Sequence, residues 1–103
     1  MPIFYLHVFR INPMSNKAEI SWKRRTEDGA RLEIYAHHVG DRWIFYSRER
    51  RVGQYTEFKK PLLEDWLALL DSIRRRAGRR LLPPEEVKRM EKTIRERFPE
   101  ASV

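Results

Sequence analysis

The chain has 103 residues, no cysteine and a net charge of +7. That length suits one domain with a modest core, and the missing thiols exclude disulfides, thiolate zinc sites and cysteine nucleophiles. No run approaches the roughly 18 apolar residues of a membrane span, and Met1-Pro2-Ile3-Phe4 lacks the basic region and cleavage site of a secretory signal, so the expected setting is the cytoplasm, away from membranes.

Ile3 to Ile11 reads as a first strand. Ile3, Tyr5, His7, Phe9 and Ile11 share one side; Phe4, Leu6 and Val8 share the other. Two apolar sides predict a strand covered on both faces. Asn12 to Asn16 has the residues of a loop. Lys17 to Arg25 alternates cleanly, with Ala18, Ile20 and Trp22 opposite Lys17, Glu19, Ser21 and Lys23. Asp28-Gly29 signals a hairpin. Arg31 to Val39 returns with Leu32, Ile34 and Ala36 on one face and Arg31, Glu33, Tyr35 and His37 on the other. Gly40-Asp41 supplies a second tight turn. Arg42 to Arg48 follows, with Trp43 and Phe45 against Ile44 and Tyr46. Between Glu49 and Lys60 the pattern favours a short strand around Gln54 to Phe58 over an ordered loop.

Pro61 then opens a helix over 62–77, where its missing N–H costs nothing. Leu63, Trp66, Leu67, Leu70, Ile73 and Ala77 recur at three- and four-residue steps, which puts them on one face. Leu62 and Leu69 carry the apolar character beyond that stripe. Glu64 and Asp65 lie at the positive end of the helix dipole and Arg74-Arg75-Arg76 at the negative end. Gly78 is the expected left-handed residue after the last turn. Pro83-Pro84 prevents a continuous helix, so a second one is expected over 84–98. Its apolar stripe is narrow, from Val87, Met90, Ile94 and Phe98, and Glu91 is spaced to support Arg95. The predicted fold is therefore α+β: an antiparallel four- to five-stranded meander within 1–60, then two helices packed on one face, in a single domain 1–103.

Catalytic signals are weak. His37 and His38 are adjacent on a strand and so point apart, and no metal-ligand spacing links either with His7. Glu27-Asp28 and Glu64-Asp65 are explained by a turn and a helix start. A cross-strand meeting of Glu19 with Glu33 is left open. Four glycines leave little for a phosphate-cradling loop. No enzyme, cofactor or metal is expected.

Basic residues interleaved with aromatics are the remaining signal. Sixteen of the 22 basic residues are arginine, whose planar fork suits phosphate; a GC-rich coding sequence produces the same tilt. Lys23, Arg24 and Arg25 lie by the first hairpin, and Arg48, Arg50 and Arg51 follow the last long strand. Tyr35 and Tyr46 lie among them on the outward face, with Tyr55 nearby. Cations that track phosphates and rings that stack on bases are how single-stranded nucleic acid is held. The competing reading makes the aromatics core and the chain a protein-interaction module, for instance one that forms a homodimer.

Trp43-Ile44-Phe45-Tyr46 leading to Leu63-Glu64-Asp65-Trp66-Leu67-Ala68-Leu69-Leu70 resembles the plan of transcriptional coactivators of the positive-cofactor type and of PUR repeats. The similarity is one of element order over about 17–77; the Ile3–Ile11 strand and the second helix depart from it. It implies single-stranded nucleic-acid binding and pairing as dimers.

Overall fold

A computed structural model describes residues 19–49 and 53–103. The expected strand Ile3–Ile11, the loop after it, Lys17, Ala18, Arg50 and Arg51 lie outside the described residues. The order is a four-stranded antiparallel meander followed by two C-terminal helices, an α+β arrangement. Two compact units are present: one ends at Glu57 and the other runs from Phe58 to Val103.

In the first unit β1 (Glu19–Arg25), β2 (Arg31–Val39), β3 (Arg42–Glu49) and β4 (Thr56–Glu57) pair in chain order. The two long pairings set Ile20, Ala36 and Phe45 in one row across the three long strands, and Trp22, Ile34 and Ser47 in the next row on that face. Alternation then gives one buried face, from Ile20, Leu32, Ile34, Ala36 and Phe45. Trp22 meets Phe45 edge to face, with ring centroids 5.9 Å apart. The first turn is tied by its own polar groups. Thr26 exchanges backbone and hydroxyl hydrogen bonds with Ala30, and its hydroxyl donates to Asp28. At the second turn Gly40 has φ +64°, and Val39 pairs directly with Arg42. A positive φ at the first central position is what a two-residue hairpin of the II′ kind asks of glycine. The short strand expected near Gln54–Phe58 is present as Thr56–Glu57, paired with Ser47 and Tyr46.

The second unit holds α1 (Leu63–Gly78) and α2 (Pro84–Arg97). The Leu62 N–H donates to Asp65 Oδ2 at 3.0 Å, which satisfies one of the unpaired amides at the helix start. Trp66, Leu70 and Ile73 are buried, as their spacing predicts. The rest of the stripe differs. Leu67 is 38% exposed, while Leu69 and Asp65 are fully buried. Asp65, Trp66, Leu69, Leu70 and Ile73 form a continuous band, rotated toward Asp65 from the expected one. A helix with leucines beyond one face offers two overlapping stripes by spacing alone, and the buried carboxylate at Asp65 goes with the second of them.

The end of α1 also departs from expectation. Gly78 is the last helical residue, and Arg80 takes the left-handed conformation, at φ +63°. Arg80 N–H donates to the Ala77 carbonyl at 3.0 Å and Leu81 N–H to the Arg76 carbonyl at 2.8 Å. These are the two bonds of a Schellman ending, and they offset the cost of a side chain at positive φ. In α2, Pro84 occupies the first helical position, and Met90, Ile94 and Glu86 are buried. Glu91 meets Arg74 of α1 at 2.9 Å rather than the expected Arg95, which donates to the Val103 carbonyl. The Arg97 guanidinium lies 4.9 Å from the Trp66 ring centroid. Among the described residues no helix is long and apolar enough to cross a membrane.

Candidate nucleic-acid interface

The sheet register fixes what the outward face carries. Lys23 lies opposite Glu33, and Glu33 opposite Arg48. One step along, Ser21, Tyr35, Tyr46 and Glu57 form the next row across all four strands. At the hairpin end Arg25 faces Arg31, and at the other end Glu19 faces His37. Glu19 and Glu33 therefore do not meet across strands; each has a cation or imidazole opposite instead.

Three tyrosines gather in the middle of this face. Tyr35 and Tyr46 stack, with centroids 4.9 Å apart and planes 7° from parallel. Tyr55 meets Tyr35 edge to face at 4.8 Å. The Arg48 guanidinium sits 4.6 Å from the Tyr55 ring centroid, within the range of a cation–π contact. Its Nε donates to Glu33 Oε1 at 2.9 Å, and the Tyr55 hydroxyl donates to the same oxygen at 3.3 Å. Cation, carboxylate and phenol thus hold one another in place.

The charges respond to this packing. Burial pushes the Glu33 carboxyl up, but the hydrogen bond and charge of Arg48, the Tyr55 hydroxyl and Lys23 outweigh it and hold it below the usual range. Glu19 goes the other way. Burial raises it, and His37, 3.5 Å from its carboxylate, opposes only part of that rise. The Tyr46 hydroxyl is raised by burial and then by Glu57. Burial also raises Tyr55, with Arg48 opposing.

A second feature lies at the hairpin end. Lys23, Arg24, Arg25, Arg31, Leu32 and Glu33 line a cleft of about 210 Å³. Arg25 Nη1 donates to the Gly29 carbonyl at 2.9 Å, which steers its guanidinium along the turn. Arg24 is opposite Leu32, so it projects from the face that bears Ile20 and Trp22, yet it still borders the cleft.

Of the eight residues singled out from sequence, Lys23, Arg25, Tyr35, Tyr46 and Arg48 share the outward face. Arg24 reaches the same region from the opposite face, and Arg50 and Arg51 lie outside the described residues. Three participants were not singled out: Glu33, Arg31 and, as a full member of the ring cluster, Tyr55. The first two follow from extending the hairpin register through the turn, which sets Lys23 against Glu33 and Arg25 against Arg31. Tyr55 sits beyond the regular alternation and gives no such signal. Among the described residues no group of three histidine or carboxylate side chains could hold a metal ion.

No protein family model matches this chain, and no curated protein or solved structure matches it either. None of these comparisons supports the similarity in element order to positive-cofactor coactivators and PUR repeats.

Proposed function

We propose that the chain is a non-enzymatic, cytoplasmic binding protein whose outward sheet face takes single-stranded nucleic acid. The observation that carries this function is the stacked Tyr35–Tyr46 pair, half-buried on a sheet face, with Lys23 in the next row and Arg25 in the row after it. Among the described residues Tyr35 packs between the rings of Tyr46 and Tyr55, whereas Tyr46 stacks on Tyr35 alone. The second face of Tyr46 is the stacking position for a base. Arg48 is engaged by Glu33 and Tyr55, so it serves as a positioning residue. Phosphate contacts fall to Lys23 and Arg25, with Arg24 at the margin.

The test is a salt-titrated binding series with single-stranded DNA, single-stranded RNA and duplex. Arg25→Ala is expected to weaken binding to every sequence alike and to lower the salt slope by about one. Tyr46→Ala is expected to cost about 1–3 kcal/mol and to leave the slope nearly unchanged. Equal affinity for duplex and single strand, with no tyrosine effect, would reduce the interaction to the attraction of a +7 protein for any polyanion. No binding at moderate salt would leave the interaction-module reading, in which the chain pairs with itself or another protein.

A further inference from the structure

We propose that the cleft at the β1–β2 hairpin end is a site for a phosphate monoester, and that the terminal phosphate of a single strand is the group it receives. The ligand's identity as a strand end rests on the function proposed above; the affinity for phosphate itself does not.

Among the described residues four cations border the cleft, Lys23, Arg24, Arg25 and Arg31, against one carboxylate, Glu33. That carboxylate is already engaged by Arg48 and Tyr55. Arg25 and Arg31 are directly opposite in the antiparallel register. Like charges in that position repel, and Arg31 has no carboxylate partner among the described residues. The register thus sets the two arginines directly across from each other at an edge of the cleft, with no carboxylate among the described residues paired to Arg31. An external anion would reconcile their charges. Lys23, Arg25 and Arg31 project from the same face of the sheet, and charges of one sign gathered at a cleft add their fields in the space in front.

The cation excess selects among anions. A phosphodiester inside a strand carries one negative charge, whereas a phosphate monoester carries about 1.5 to 2 at pH 7 and three strong acceptor oxygens. Guanidinium forks engage such oxygens in pairs. A terminal phosphate is also unobstructed on one side, as entry into a cleft requires. Continuing from the cleft, the strand meets the Lys23–Glu33–Arg48 row and then the tyrosine row.

The experiment uses the full chain and two kinds of probe. Inorganic phosphate is titrated calorimetrically at constant ionic strength, with chloride as the reference salt. One short oligonucleotide is then compared with a 5′-phosphate, a 3′-phosphate or hydroxyls at both ends. Saturable phosphate binding, and at least tenfold tighter binding of one phosphorylated form than of the hydroxyl form, is the expected result. Arg31→Thr is expected to bring that ratio to about one; its melting curve verifies that it remains folded. No saturable phosphate binding to the folded wild type would overturn the proposal. Phosphate binding with equal affinity for all three oligonucleotides would overturn the strand-end assignment and leave the sheet-face function standing. Phosphate binding with no affinity for any oligonucleotide would sink the sheet-face function and the strand-end assignment together, and leave a small-anion site.

Discussion

The end of α1 and the end of the β1–β2 hairpin are both rich in arginine but differ in what surrounds each guanidinium. At the helix end Arg75 pairs with Asp71 one turn back, and Arg74 reaches Glu91 on α2. The helix carbonyls add a partial negative charge in the same place. Residual crowding is visible at Arg76, whose pKa is lowered by burial and then by the charges of Arg79 and Arg75. Still, most of that run has a structural explanation. At the hairpin end Arg25 confronts Arg31, and the adjacent carboxylate is turned to Arg48. The net charge of +7 therefore says little by itself. A cation informs about function when the fold leaves it opposed rather than paired.

Arg48 is the paired extreme and should give the largest effect. Glu33 has a side chain only 14% exposed. Without Arg48 it would retain the Tyr55 hydroxyl and the more distant Lys23. Arg48→Ala is expected to cost about 1–3 kcal/mol in urea unfolding, the usual range for stranding a largely buried charged acceptor. The effect has a pH signature. Because the folded-state pKa of Glu33 is lowered, its contribution is complete above the ordinary carboxylate pKa. It disappears as pH falls through the lowered value. The gap between wild type and variant should close in acid. A gap that persists unchanged would assign the loss to the guanidinium resting on Tyr55 rather than to the ion pair.

Arg80 is an intermediate case, held in place by backbone bonds and strained by its own side chain. At φ +63° a glycine sits without penalty. Arg80→Gly is expected to stabilise the chain by about 1 kcal/mol, less the added freedom of the unfolded state. Thermal unfolding measures it. A loss of stability would show that the guanidinium has a role the helix ending does not reveal.

The contrast also marks how much could be read from the chain itself. The meander was legible because Asp28-Gly29 and Gly40-Asp41 punctuate regular alternation, and the same alternation set Tyr35 and Tyr46 on one face. Pro61 and Pro84 placed the two helix starts to within a residue. Two things were not legible. Spacing permits either Leu67 or Leu69 inside α1, and the structure buries Leu69, on the side of the buried carboxylate of Asp65. A glycine near a helix end invites the left-handed position, but the hydrogen bonds that close α1 are completed two residues later, at Arg80. In the site, cation counting located the basic clusters and overlooked Glu33. Partner identity depends on register, and register became usable only once the first hairpin's loop length was fixed.

Arg31 is the opposed extreme, and its effect is the smallest and opposite in sign. In an antiparallel pair, like charges directly opposite cost a few tenths of a kcal/mol to about 1 kcal/mol. Arg31 has no carboxylate partner among the described residues to offset that cost. Threonine is well suited to a strand and removes the charge. Arg31→Thr is therefore expected to stabilise the free protein by about 0.5 kcal/mol at low ionic strength. Near 1 M salt, where screening acts over about 3 Å, the gain should vanish. Phosphate should reverse the order, because it stabilises the wild type by mass action and the variant much less. A variant less stable than wild type at low salt would mean that Arg25 and Arg31 are not in conflict. The hairpin-end cations would then resemble those at the end of α1, and the contrast between the two regions would fail.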